Sequence, residues 1–159
     1  MRMTSEASRE HPRAHADAAP EPRFIYAVGA LDRSIRRKLV TILEPFHLTI
    51  ADYTALSLIQ RRTGYSNAQL ARRAFVSPQA MNQVLQSLDA RKLIERKPSD
   101  SHGSVLNVFL TPAGRETLDL CDAAVDALEK TMLERIPADL RAQSTALMLE
   151  LAKHIGRSD

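Results

Sequence analysis

Four side-chain amides, Gln79, Asn82, Gln83 and Gln86, fall within one short stretch of the chain. An amide carries a hydrogen-bond donor and an acceptor side by side. That pairing matches the edges that bases present in the major groove of DNA. Eight basic residues surround the stretch: Arg61, Arg62, Arg72, Arg73, Arg91, Lys92, Arg96 and Lys97. Residues 61–100 hold eight basic and three acidic side chains, a net +5, while residues 101–159 hold six and nine, a net −3. The whole chain carries only +3. A basic centre between weakly charged and acidic flanks is the electrostatic footprint of an embedded nucleic-acid reader. The competing reading of the same residues is a solvated polar helix face.

Other chemistries are poorly served. The single Cys121 rules out an intrachain disulfide and a multi-cysteine zinc site. No HExxH occurs, and the five glycines are too scattered to build a phosphate-binding loop. Aromatic residues make up 4% of the chain, which argues against a sheet that stacks RNA bases. No nucleophile–base pair or pair of acids stands out, so neither catalysis, cofactor nor metal is expected. Every apolar stretch stops short of the ~18 residues that a membrane span needs. Residues 1–23 are rich in Ala, Pro and charge and lack an apolar core, which excludes a secretory signal and predicts a disordered tail. With 159 residues, the remainder is one domain of a reduced, cytoplasmic protein.

The amides need a scaffold, and the pattern supplies one. Phe24, Val28, Leu31, Ile35, Leu39 and Ile42 form one apolar stripe on a helix that ends before Pro45. Thr49 is a plausible N-cap for a second helix, Ile50 to Arg61. Ser66 with Gln69 three residues later fits a capping box, and opens a short helix to Arg73. Ser77-Pro78 is a second start signal, opening a helix to about Arg91. On it Met81, Val84, Leu85 and Leu88 take one side, and the four amides take the other. Two helices so closely joined form a helix-turn-helix. Leu93–Lys97 and Val105–Leu110 then read as a two-stranded hairpin, a wing. Thr111-Pro112 starts another helix, with Leu118, Cys121, Val125, Leu128 and Met132 as its seam, and Pro137 starts the last, with Leu140, Leu147, Leu151 and Ile155. Seams lying outside so small a reader need a partner, and a second copy of the chain is the simplest.

The expected fold is therefore mainly α: a winged helix-turn-helix with a small two-stranded β-wing and N- and C-terminal dimerisation helices. Residues 24–156 form this domain, with 24–44 and 112–156 for dimerisation and 49–110 for DNA binding. Ser77, Gln79, Asn82, Gln83 and Gln86 are the candidates for the major groove. Arg72, Arg73, Arg96 and Lys97 are the candidates for the DNA backbone.

The order of elements and four stretches, Ser66–Ala74, Val76–Leu88, Leu93–Pro98 and Leu110–Gly114, resemble the MarR family of winged helix-turn-helix transcription regulators. The resemblance implies a homodimer on a palindromic operator of double-stranded DNA. It also implies a repressor released by a small aromatic or phenolic ligand, or by cysteine oxidation. One stretch departs from the family. The wing-tip Asp-x-Arg pattern falls on His102-Gly103-Ser104, without the acid or the arginine. His102 either enters the minor groove in their place or is a solvated loop residue. The departure leaves open a second function, a protein-interaction module that kept the fold and lost its operator. Tyr26, Arg37, His47 and Tyr53 are the residues best suited to line an effector pocket, or else pack and solvate the helices. Cys121 sits on an apolar seam, which favours packing over redox sensing.

Overall fold

The structure is a computed structural model that describes residues 21–98 and 106–156. The expected tail falls almost wholly outside these residues, as does His102 at the wing tip.

Helix α1 (Phe24–Leu43) runs into a 3-10 turn, Glu44–Phe46, with Pro45 inside it. Helix α2 (Ile50–Arg61) starts at Thr49, whose hydroxyl accepts from the Asp52 amide. The Asp52 carboxylate is buried because it returns the bond, accepting from the Thr49 amide at 2.9 Å and hydroxyl at 2.8 Å. Strand β1 (Tyr65–Ser66) leads into α3 (Asn67–Arg73), opened by the Ser66–Gln69 capping box. Helix α4 (Pro78–Ala90) follows, with Ser77 accepting from the Ala80 amide at 3.1 Å. Strands β2 (Ile94–Pro98) and β3 (Leu106–Leu110) form the wing hairpin. Helices α5 (Pro112–Leu133) and α6 (Ala138–Ile155) complete the chain.

The sheet differs from the expected hairpin. It has three strands in the order β1-β3-β2, all antiparallel, with Tyr65 opposite Val108 and Ile94 opposite Leu110. The added strand is two residues long, so it lacks the alternation by which a strand is read from sequence. It exists because β3 has a free edge that can satisfy backbone groups just before α3 starts.

Three helix ends close without glycine. His47, Phe75 and Lys92 take left-handed backbone angles, with φ of 54, 55 and 62°. After α4, the Leu93 amide donates to Leu88 O and the Lys92 amide to Asp89 O, the Schellman pattern. After α3, the Val76 amide donates to Ala71 O, which sets the turn of the helix-turn-helix. The core gathers under these turns. Leu43, Leu56, Ile59, Leu70, Met81, Leu85, Leu88, Ile94, Val108 and Leu118 are all buried in it. Each such side chain contributes about 1.5–3 kcal/mol relative to exposure. Helix α6 contributes no buried residue at all, and Leu140, Leu147, Met148, Leu149 and Ile155 are exposed along it.

Candidate nucleic-acid interface

Helix α4 is held on one face and open on the other. Met81, Leu85 and Leu88 anchor it in the core. Gln79, Gln83 and Gln86, spaced four and three apart, are exposed as one stripe. Asn82 beside them is half-buried. The Ser77 hydroxyl accepts one bond as the N-cap and keeps its proton to donate and one lone pair to accept. Asn67, the first residue of α3, donates from its amide nitrogen to Pro78 O at 3.0 Å. This bond ties the starts of the two helices together and fixes the open end of α4.

The basic residues divide by what they already touch. Arg72 and Arg73 are exposed at the end of α3. With Arg62, Tyr65 and Gln69 they line a cavity of about 430 Å³. The Arg73 and Arg62 guanidinium groups lie 4.9 and 5.5 Å from the centre of the buried Tyr65 ring. Among the described residues none of these three arginines is ion-paired. Lys97 is exposed on β2, beside Glu95 at 2.6 Å and 5.5 Å from the Phe109 ring centre. Arg96 is different. Its side chain is only 21% exposed and faces Asn82 and Asp89 of α4. Arg91 is also committed, donating to His47 O at 2.9 Å and Phe46 O at 3.0 Å. Both roles depend on residues distant in sequence, so composition alone counted these two as free positive charge.

The comparisons with known proteins agree with this geometry. The MarR family pattern matches residues 48–103, which span the capped helices and the start of the wing. The HTH-type transcriptional repressor Rv2887 of Mycobacterium tuberculosis is 34% identical over 136 residues, 86% of this chain and 96% of its own. The chain belongs to the MarR family. Solved structures of Rv2887 superpose on it. The complex with salicylic acid has a TM-score of 0.64 at 30% identity, covering 84% of this chain and 99% of that one. The complex with DNA has a TM-score of 0.66 at 27% identity, covering 82% and 98%.

For this MarR-family chain the four expected effector residues do not converge. Arg37 lines a cleft of about 510 Å³ between α1 and α5, with Leu31, Ile35, Lys38, Leu128 and Met132. Tyr26 is exposed near the start of α1. His47 closes the 3-10 turn. The Tyr53 hydroxyl donates to Asp122 of α5 at 2.7 Å. Burial, and then this bond, push the Tyr53 pKa up to about 12. Cys121 is fully buried, and burial followed by the neighbouring Asp122 charge pushes its thiol up to about 11. A protonated, enclosed thiol is a poor nucleophile, in keeping with the packing reading of its seam.

Proposed function

We propose that the chain is a sequence-specific repressor that binds double-stranded DNA as a homodimer and is released by a small aromatic acid. One observation carries the reading: an exposed amide stripe on a helix whose start and core face are both rigidly held. Such a helix can enter a major groove without reorganising, with Gln79, Gln83 and Gln86 toward base edges. Arg72, Arg73 and Lys97 then lie on residues able to meet phosphate oxygens. The wing contact assigned to His102 stays part of the proposal.

The second copy is called for by α1 and α6. Phe24, Ile25, Tyr26 and Leu31 on α1 are exposed, as is the apolar run on α6. Paired across a two-fold axis, 24–44 and 112–156 would cover each other and set the spacing of two half-sites. The α1–α5 cleft suits the effector. Leu31, Ile35, Leu128 and Met132 offer apolar surface, and Arg37 and Lys38 offer charge to a carboxylate. The salicylic acid bound by Rv2887 is of that chemical class. The reading assigns no catalysis, and it places the protein in the cytoplasm beside its DNA. No helix among the described residues is long and apolar enough to cross a membrane.

The test is a binding titration on duplexes selected from a random pool, with scrambled duplexes as reference. Gln83→Ala should lose about 1–3 kcal/mol on the selected site and little on the scrambled one. With ~6–10 phosphate contacts per dimer, affinity should fall roughly 10³–10⁵-fold between 50 and 200 mM salt. Equal loss on both duplexes, or a flat salt response, would sink the reading.

A further inference from the structure

The position of Arg96 points to a role other than holding DNA. On β2 it pairs in register with Val108, whose side chain is buried, so Arg96 leaves the sheet on its inner face. Lys97, next along the strand, leaves on the other face and is exposed. The Arg96 side chain therefore runs against α4. Its Nη1 is 3.5 Å from Asn82 Oδ1, and its Nε is 3.7 Å from Asp89 Oδ2. Asn82 and Asp89 are seven residues apart, two helical turns, on one face of α4. Nε is buried and makes no hydrogen bond. A guanidinium in this place is partly neutralised by Asp89 and committed to the face of α4.

Its chemistry also decides how Asn82 is oriented. A guanidinium has five donors and no acceptor. The amide of Asn82 must therefore turn its oxygen toward Arg96, which leaves the NH₂ group as the end available to DNA. A free asparagine reads adenine with both ends, accepting from N6 and donating to N7. An asparagine with its oxygen turned inward offers donors only. Donors match guanine, whose O6 and N7 are neighbouring acceptors, and oppose cytosine, whose edge presents an amino group.

We propose that Arg96 is a positioning residue for sequence readout: from the wing strand it orients the Asn82 amide so that Asn82 reads a guanine edge. The inference rests on the DNA-binding reading above. It differs from the expectation that Arg96 grips phosphate, and the two roles have different signatures. Loss of a phosphate contact weakens binding on every sequence and lowers the salt slope by about one per contact. Loss of a positioning residue changes the base preferred at one operator position and leaves the salt slope in place.

The experiment is selection from a random duplex pool with the full chain, followed by titration at two salt concentrations. Wild type, Asn82→Ala, Arg96→Met and Arg96→Gln are compared. Methionine keeps the buried stem with no donor, and glutamine adds an acceptor to its donors. Thermal midpoints establish that each variant is folded. Wild type should prefer guanine at one position per half-site by about tenfold or more. Asn82→Ala should abolish that preference. Arg96→Met should relax it or shift it toward adenine at the same position, with an unchanged salt slope. Arg96→Gln should do likewise, which keeps the test alive should Arg96→Met fail to fold. A uniform loss of affinity with a smaller slope and an intact guanine preference in Arg96→Met and Arg96→Gln would make Arg96 a phosphate contact and overturn the proposal. An unaltered preference in Asn82→Ala would overturn it too. Failure of wild type to enrich any sequence would instead bring down the DNA-binding reading on which it stands.

Discussion

Replacing Gly114 with alanine should damage the joint between the wing and helix α5. Gly114 lies in the first turn of α5 and is buried against the residue that precedes β2. A Cβ added there would sit 1.9 Å from Leu93 O, and 2.8 Å from Leu93 C. Relief requires a displacement of more than an ångström, and the obstacle is backbone. Leu93 cannot easily yield. Its amide donates to Leu88 O at 3.0 Å, and its carbonyl accepts from the Thr111 amide at 3.1 Å. Helix α5 cannot easily yield either, because the Thr111 hydroxyl donates to Lys92 O at 2.7 Å while accepting from the Gly114 amide at 3.0 Å. Overpacking costs about 1–3 kcal/mol. The two bonds from Thr111 to residues 92 and 93 contribute about 0.5–1.5 kcal/mol each. Gly114→Ala should therefore destabilise by roughly 3 kcal/mol, an effect on the order of 10 °C in melting temperature for a domain of this size. Denaturant titration at fixed protein concentration measures it. A variant within 0.5 kcal/mol of wild type would refute the claim that this contact is tight.

Two further outcomes concern Cys121 of α5 and Tyr53 of α2. Cys121, enclosed and with its pKa raised to about 11, should resist a disulfide exchange reagent at pH 7.5 and react promptly once the chain is unfolded; fast labelling of the native protein would contradict its burial. Tyr53→Phe should cost about 1 kcal/mol at neutral pH by removing the bond to Asp122. The folded pKa of Tyr53 is raised from 10 to about 12, so its contribution is complete below pH 10 and is lost as pH rises toward 12. The stability gap between wild type and Tyr53→Phe should narrow over that window, and a constant gap would argue against the bond.

The sequence shows where helices begin better than where they end. Thr49, Ser66, Ser77 and Thr111 are all legible as N-caps, and each accepts from the amide three residues on. A cap needs one hydroxyl at one position, which a local pattern can display. The ends close on His47, Phe75 and Lys92, where the usual glycine signal is missing and an exposed left-handed residue is followed by an amide that donates back into the helix. The amide stripe is equally legible, since periodicity separates Gln79, Gln83 and Gln86 from Met81, Leu85 and Leu88. The roles of the arginines are not. Arg91 and Arg96 look like Arg72 and Arg73 in a list of charges, but the 3-10 turn brings acceptors to Arg91 from up to 45 residues away, and α4 brings them to Arg96. The short strand β1 is hidden for the same reason: its partner lies on β3.

These ties bear on how an effector could act. The reader is joined to the helices around it at three separate places. Arg91 holds the end of α4 to the turn after α1. Thr111 and Gly114 hold the start of α5 to the residues before β2. Tyr53 holds α2 to the middle of α5 through Asp122. A reader tied at three places is coupled to both sides, so a shift of α1 against α5 should carry α4 with it. The cleft between α1 and α5 lies on just those two helices. A ligand that binds tighter when they are spread apart favours that state by its difference in affinity, and by no more than that. On the proposed dimer, spreading α1 from α5 changes the distance between two α4 helices and leaves each amide stripe intact. Release would then be a loss of half-site spacing. Affinity for a single half-site would survive a saturating ligand, while affinity for the paired operator would fall.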